Sequence, residues 1–184
     1  MEYTRIPDGT WNQIQINAGL IASSFTPATG TISGIMGATD GGFSVSLNPE
    51  YEDFGEDIDN VPPNSKQLKR IKSYDPTVSA TFKSVTGALL KDMIGAADVD
   101  AQSGAIIPRM ELTDADFKDV WVVGDYGNSG GFVAVHIKNA LNTAGFSWQT
   151  TKDGKGAFSV EFHGHYDLEN MDEVPFEAYV NSGT

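Results

Sequence analysis

The sequence predicts a mainly β protein built from antiparallel strands, with one α-helix. Three observations predict this class: stretches in which apolar and polar residues alternate, clusters of Gly, Asn, Asp and Pro between those stretches, and a single segment with helical spacing. At 184 residues, of which 40% are hydrophobic, the chain has the size of one domain with a real core. We therefore expect a single domain over residues 1–184 with an N-terminal arm over residues 1–13.

The clearest alternation lies in two segments of the first half of the chain. In each segment, every second residue is apolar and the residues between are Ser, Thr, Asn or Lys, as in half-buried strands; the apolar residues are Phe43, Val45 and Leu47, then Val78, Ala80 and Phe82. Further strands are predicted at residues 11–20, 30–38, 119–126, 131–138, 144–151, 156–166 and 175–180. A hairpin is predicted at Asp153-Gly154, because these residues tolerate the positive φ of a tight two-residue turn.

One segment has helical instead of strand periodicity. Between Thr86 and Ala97 the apolar residues recur at helical spacing, and Thr86 can cap the first turn. This spacing predicts an amphipathic helix over Thr86 to Ala97. A second, shorter turn is predicted at Thr113, where the sequence TDAD provides a cap followed by acidic residues.

The charge of the chain excludes some functions. Lys and Arg number 12 and Asp and Glu 25, which gives a formal net charge of -13. Because DNA affinity depends on Lys and Arg neutralising phosphates, tight DNA binding is disfavoured, whereas a surface past which a duplex slides is compatible with this charge. The chain has no cysteine, which rules out disulfides, thiolate catalysis and zinc sites with sulfur ligands.

The sequence predicts neither a secretory leader nor a membrane span. The segment MEYTRIPDGTW lacks a basic region followed by an apolar run, and no eighteen consecutive residues are apolar. We therefore expect a protein that is not inserted in a membrane.

The segment least explained by folding is an acidic one that follows a predicted strand. Glu50–Asp59 contains six carboxylates, and the strands that end near Pro49 and begin near Thr77 are much farther apart than a hairpin requires. We expect an extended loop over about residues 50–75 that contacts another molecule. The candidate contacts are its charged residues: Glu52, Asp53, Glu56, Asp57, Asp59, Lys66, Lys69, Arg70 and Lys72.

The order of charges in this loop leaves two interpretations open. The loop is acidic first and basic after Asn64. Its two ends could pair with the same loop of a neighbouring copy, or they could balance each other within one chain. The spacing favours neither.

Three patterns suggest chemistry, and each has a simpler interpretation. Ser129, flanked by glycines, resembles a protease nucleophile, but every histidine follows it in a strand-like run, so a glycine-rich turn is favoured. His163, His165 and Glu161 share one face of a predicted strand and could ligate a metal, but the exposed face of a half-buried strand is the stronger explanation. The acidic loop lacks the register of an EF-hand. We predict no catalytic residue, no metal and no cofactor.

Beyond these patterns, the chain from Ala18 to Val180 contains five long phrases: GLIASSFTPATGTI, GATDGGFSVSLNPEYEDFGEDIDNVP, SYDPTVSATFKSVTGALLKDMIGAAD, DVWVVGDYGNSGGFVAVHIKNALNTAGFSWQTTKDGKGAFSVEFHGHYD and DEVPFEAYV. In their order and wording these phrases resemble a known family, the major tail proteins of long-tailed bacteriophages.

The resemblance implies both a fold and a function. It implies two packed antiparallel β-sheets, like a sandwich or barrel, with one flanking helix at Thr86 to Ala97 and a long loop between strands at Phe54 to Asp75. It implies hexameric rings that stack into a hollow tail tube, with a negative lumen through which DNA passes without specific binding. The implied partners are other copies of the chain, a tape measure protein, and the proteins that initiate and terminate the tube.

We therefore expect a structural protein of the phage virion, assembled in the host cytoplasm, that is not an enzyme. The alternative is a calcium-dependent β-sandwich module that binds a carbohydrate or a cell-surface ligand through the acidic loop, with Trp11, Trp121 and Trp148 as stacking platforms. Calcium-dependent stabilisation would support this alternative.

Overall fold

The computed structural model describes residues 7–127 and 129–183. In these residues the chain forms strands β1 (Leu20–Thr26), β2 (Thr31–Ile35), β3 (Thr39–Asp53), β4 (Lys69–Phe82), β5 (Ala97–Val99), β6 (Ile106–Pro108), β7 (Lys118–Asp125), β8 (Phe132–Asn142), β9 (Ser147–Gln149), β10 (Ala157–His163) and β11 (Phe176–Asn181), and helix α1 (Gly87–Ile94). Short 3-10 helices lie at Thr10–Gln13, Asp114–Asp116 and Leu168–Asn170.

Nine of the strands form one antiparallel sheet that folds over itself. The strand order is β2-β1-β7-β8-β10-β4-β3, with β11 paired to β8 and β9 paired to β10; β5 and β6 form a separate hairpin. The two halves of the sheet meet at β8 and β10, where only Asn142 and Leu141 of β8 lie in register with β10.

Side chains from both halves of the sheet pack into one core. This core includes Ile21 of β1, Val120 and Val122 of β7, and Val78 and Phe82 of β4. Strands that lie far apart in the sheet order can share a core only if the two halves face each other, as in a β-sandwich. The predicted fold class, a mainly β protein with packed antiparallel layers and one flanking helix, is confirmed.

Helix α1 closes one side of this core. The hydroxyl of its N-cap, Thr86, accepts a hydrogen bond from the Leu89 N–H at 3.2 Å, as predicted, and Leu89 and Met93 are buried. The helix ends at Gly95, whose φ of 84° is one that glycine adopts at low cost. The predicted helix was therefore too long, since Ala97 belongs to β5.

Two other local predictions are partly correct. The turn predicted at Thr113 is the 3-10 helix Asp114–Asp116, with Thr113 and Asp116 forming a capping box. Strands β9 and β10 do form a hairpin around Asp153-Gly154, but their connection spans residues 150–156 and is not a two-residue turn.

The predicted strand at residues 11–20 is wrong. Residues Thr10–Gln13 form a 3-10 helix, and β1 begins only at Leu20. Strand β1 itself escaped prediction because the adjacent Ser23 and Ser24 interrupt its alternation. Of the N-terminal arm predicted over residues 1–13, residues 1–6 lie outside the described residues.

The predicted extent of the long loop also needs correction. Strand β3 continues to Asp53 and β4 begins at Lys69, so the loop spans residues 54–68, not 50–75. The two strands remain paired as far as Asp53 and Lys69. The acidic segment is therefore partly the end of a long hairpin.

Candidate functional site

The β3–β4 hairpin extends well beyond the sandwich. Strand β4 pairs with β10 only over Thr77–Phe82, whereas it pairs with β3 along its whole length. We call residues 49–74 the arm. Its strands lie beyond the rest of the sheet for about 17 Å, at about 3.3 Å per residue, before the loop begins.

The loop at the end of the arm, residues 54–68, is closed by its own hydrogen bonds. The Phe54 N–H donates to the Leu68 carbonyl at 3.1 Å. The Asp53 carboxylate accepts from the N–H groups of Gly55 at 2.9 Å and Asn64 at 2.8 Å. These two bonds hold the pKa of Asp53 below its ordinary value. The loop is thus a compact cap on the hairpin.

The arm exposes apolar side chains. Tyr51 and Ile71 lie opposite each other and are 55% and 47% exposed, on the face that continues the core face of the sandwich. Phe54 and Ile58 are about as exposed, at 49% and 50%. A two-stranded ribbon is marginally stable alone in water, and grouped exposed apolar residues mark contact surfaces. The arm is therefore the first candidate for contact with another chain.

The basic residues on the strands of the arm have partners within the arm. Lys72 forms an ion pair with Glu50 at 2.9 Å, and this bond lowers the pKa of Glu50. Lys69 donates to the Asn64 side chain at 2.9 Å and lies 5.1 Å from the centre of the Tyr51 ring. Within the chain, Lys72 and Glu50 therefore balance each other's charge, whereas Lys69 contacts an amide and an aromatic ring.

Arg70 has contacts within the arm, whereas the charged residues of the loop form no ion pairs in the described chain. Arg70 lies opposite Glu52 and 4.9 Å from the centre of the Phe54 ring. The loop residues Glu56, Asp57, Asp59 and Lys66 are exposed and form no ion pair within residues 7–127 and 129–183. The acidic loop thus keeps its charges available to a partner.

The described sheet has four edge strands, since β2, β3, β9 and β11 each pair with one neighbour only. Two of them, β2 and β3, have stretches of edge without charged residues. Within the described chain, β2 pairs only with β1, and β3 pairs only with β4. Proteins that stay monomeric commonly protect such edges with charged residues, especially Lys. The sequence of β2, TISGI, and residues 41–49 of β3, GGFSVSLNP, contain no charged residue. Both edges are therefore free to pair with a strand of another molecule.

The structure does not bring Ser129 to a catalytic base. Its hydroxyl donates to the Asn12 carbonyl at 2.9 Å and accepts from the Gly131 N–H at 3.3 Å. Ser129 therefore ties the 3-10 helix at Thr10–Gln13 to the β7–β8 connection.

Of the three residues considered as metal ligands, Glu161 and His163 are in contact, but His165 lies apart from them. The imidazole of His163 lies between Asp75 at 2.9 Å and Glu161 at 3.0 Å, whereas His165 bonds the Asn139 carbonyl at 3.1 Å. Among the described residues no group of three or more His, Cys, Asp or Glu side chains could hold a metal ion.

The three tryptophans lie on different elements. Trp121 is buried and stacks on His136, with ring centres 4.1 Å apart. Trp11 and Trp148 are 68% and 60% exposed, and Trp148 stacks on Phe158. Only the latter two present an aromatic surface to solvent.

Comparisons with known proteins give little support to any assignment. No family model matches the sequence, and no curated protein is significantly similar to it. Among the solved structures that align with the chain is a chain of the "Virion of native gene transfer agent (GTA) particle", with 11% sequence identity and a TM-score of 0.42, covering 82% of this chain and 92% of that chain. A likeness this distant carries no argument about function. In the part of the chain that the structure describes, no helix has the length and apolar character needed to span a bilayer.

Sequence reasoning missed a network that fixes β11 to β8. Lys138 of β8 forms ion pairs with Glu173 and with Glu177 of β11, the latter at 2.6 Å. Glu177 also accepts from the Tyr179 hydroxyl at 2.6 Å and lies 3.4 Å from His136. The alternation of charged residues along both strands is visible in the sequence, but their pairing depends on the register of β8 and β11.

This network leads to a prediction about how the free energy of unfolding depends on pH. Hydrogen bonds from Lys138 and Tyr179 lower the pKa of Glu177 from 4.5 to about 2. Because the folded pKa lies below the ordinary value, this contribution is complete above pH 4.5 and is lost as the pH falls toward 2. We expect Glu177→Gln to cost about 1 kcal/mol of unfolding free energy at pH 7, given the partial exposure of the pair.

Urea unfolding of both proteins between pH 2 and pH 7 measures this effect. The two stability curves should approach each other at the acid end. The matched control is Glu169→Gln, since Glu169 forms no side-chain ion pair within the described residues. Equal losses in the two variants at pH 7 would contradict the assigned role of Glu177.

Proposed function

We propose that this chain is a structural protein of a bacteriophage virion, the subunit of a tail tube. It polymerises as stacked hexameric rings into a hollow tube through which DNA passes during ejection. Its partners are other copies of itself, a tape measure protein and the proteins that begin and end the tube. Assembly takes place in the host cytoplasm, and the protein acts as part of the particle.

The observation that carries the proposal is the pair of unprotected sheet edges. A ring of copies in which β3 of one subunit pairs with an edge of the next would cover edges that are otherwise open to aggregation. Strand β2 and residues 41–49 of β3 present backbone N–H and C=O groups without a charged residue to block pairing. A head-to-tail contact of this kind closes into a ring when the rotation between subunits permits it.

The arm provides a second contact, of a different kind. It extends past the sandwich and ends in an acidic loop with exposed Phe54 and Ile58. Contacts within a ring use the edges, so the arm remains available for a subunit of the adjacent ring. The resemblance of the sequence to major tail proteins supports the same arrangement, because it places their inter-ring loop at Phe54 to Asp75.

The charge and the side-chain contacts fit a conduit without catalysis. A formal charge of -13 disfavours retention of DNA phosphates by the wall. The hydroxyl of Ser129 is occupied by backbone groups, and His163 is held between two carboxylates. In this proposal the protein acts through assembly, with no cofactor and no reaction of its own.

Electron microscopy of the purified protein tests the proposal. We expect negative-stain images over rising concentration to show stacked rings or hollow tubes, and light scattering to show species much larger than 19.7 kDa. A strict monomer at every concentration, in protein that is folded by circular dichroism, would count against self-polymerisation. Stabilisation by calcium in that monomer would favour the binding module instead.

A further inference from the structure

One surface of the sandwich has a distinctive chemistry. The outward side chains of β3, β4, β9 and β10 form a continuous face, which we call the hydroxyl face. Their sequence neighbours Val45, Val78 and Val160 point into the core. Register across the strands brings together Ser44, Ser46, Asn48, Asp75, Thr77, Ser79, Thr81, Ser147, Gln149, Ala157, Ser159, Glu161 and His163.

Small hydroxyl side chains dominate this face. Seven of its thirteen residues are Ser or Thr, and none is Lys, Arg or aromatic. Ser46 and Thr77 hydrogen-bond across β3 and β4. The imidazole of His163 has both nitrogens engaged by carboxylates, those of Asp75 and Glu161. The face is therefore polar, and its exposed charges are the carboxylates of Asp75 and Glu161.

Other outward surfaces of the molecule differ from the hydroxyl face. The outward face of β7, β8 and β11 carries Trp121, His136, Lys138 and Tyr179. The arm carries Lys69, Arg70 and Lys72. The next outward position along β4 is Lys83, and it is paired with Asp40 at 3.2 Å. Lys83 thus borders the hydroxyl face, whereas the thirteen positions of the face itself contain no Lys, Arg, Phe, Tyr or Trp.

We propose that the hydroxyl face is the wall of the channel, the surface past which the DNA duplex moves. The assignment rests on the proposed function and names the face that performs it. Lys and Arg retain DNA by releasing counterions, and aromatic rings retain exposed bases by stacking. A face that has neither, and that adds the carboxylates of Asp75 and Glu161, offers a moving duplex no strong attachment.

Cysteine labelling of assembled tubes tests the proposal. The chain contains no cysteine, so each introduced thiol is unique. The variants are Ser44→Cys on β3 and Ser159→Cys on β10, both at exposed positions, and the matched control is Ala101→Cys, exposed in the β5–β6 connection. The probes are a small maleimide and the same maleimide attached to streptavidin, which is too bulky to enter a narrow channel.

The expected result is that both probes label Ala101→Cys in tubes, whereas only the small maleimide labels Ser44→Cys and Ser159→Cys. Dissociated subunits of all three variants should react with both probes. Labelling of the face variants by the streptavidin probe in tubes would place the hydroxyl face outside and overturn the assignment. Failure of the small maleimide to label them would place the face in a subunit contact, with the same consequence. If the unmodified protein forms no tubes, the proposed function itself fails, and that outcome is seen before any labelling.

Discussion

Replacing residues 54–68 with Asn-Gly is expected to abolish tube formation while leaving the sandwich folded. Asp53 and Lys69, the residues that flank this loop, are directly paired across β3 and β4. A two-residue Asn-Gly turn closes such a pair without disturbing its register. The replacement removes the acidic loop with Phe54 and Ile58, which we assign to the contact between rings, and retains both sheet edges. Single rings without stacks are the expected product, seen by negative-stain electron microscopy.

A second loop provides a matched control for this replacement. Val99 and Ile106 are also a directly paired set, so residues 100–105 can be replaced with Asn-Gly in the same way. This variant is expected to form tubes as the unmodified protein does. Normal tubes from the variant that lacks residues 54–68, or loss of tubes in both variants, would contradict the role given to the arm.

Removing the carboxylate of Asp116 is expected to have the largest effect on stability. Its side chain is fully buried and receives hydrogen bonds from Arg109 at 2.6 and 2.8 Å and from the Thr113 N–H at 2.8 Å. Asp116→Ala leaves the Thr113 N–H without its partner and leaves the Arg109 guanidinium with only the exposed Asp98 carboxylate and the Glu111 carbonyl. We expect a loss of about 3 kcal/mol of unfolding free energy, as for other broken buried pairs, measured by urea unfolding at pH 7.

Arg109 also provides the control for this variant. It forms a second ion pair, with Asp98 at 2.9 Å, but Asp98 is 68% exposed. Asp98→Ala is therefore expected to cost less than about 1 kcal/mol. Equal losses in the two variants would show that burial of the Asp116 pair is not what stabilises this region.

The pH dependence of this contribution has a definite sign. Burial raises the pKa of Asp116, but the hydrogen bonds from Thr113 and Arg109 outweigh burial and hold the pKa below its ordinary value of 3.8. The stabilisation is therefore complete at neutral pH and is lost as the pH falls through the folded pKa. The stability difference between the unmodified protein and Asp116→Ala should shrink in acid.

The fold class could be predicted from the sequence because the apolar residues that alternate with polar residues are also the residues buried in the core. Val78, Ala80 and Phe82 alternate in the sequence and are buried in the structure. Helix α1 and its Thr86 cap followed from the same kind of local signal. These features depend on neighbouring residues alone, so one sequence is sufficient to reveal them.

The arm could be located from the sequence, but its extent could not. Pro76 lacks an N–H donor, so the strand signal of β4 begins after it, at Thr77, although the strand begins at Lys69. The acidic end of β3 pairs with the basic start of β4, but this pairing can be recognised only when the register of the two strands is known. The register shift between Glu50 and Tyr51 makes the pairing still harder to recognise from the sequence.

The hydroxyl face and the Asp116 pair depend on long-range contacts. Two hairpins from distant parts of the chain, β3–β4 and β9–β10, contribute to the hydroxyl face, and the outward side of each strand follows only from which of its residues are buried. The turn at Thr113 was predictable, but the burial of Asp116 against Arg109 was not, because it depends on how residues 97–117 fold back on the helix.

The strand order of the sheet has a consequence for the timing of folding. Strand β1 pairs with β7, and β4 pairs with β10, each across a large separation in sequence, whereas β3 and β4 are neighbours in the chain. Local pairings form early and distant pairings form late, since distant pairings require closure of long loops. The hairpin that carries the arm can therefore form while the rest of the sheet is still open. A newly made chain therefore exposes the apolar side chains of the arm before its core is complete. At high protein concentration, association through the arm then competes with completion of folding.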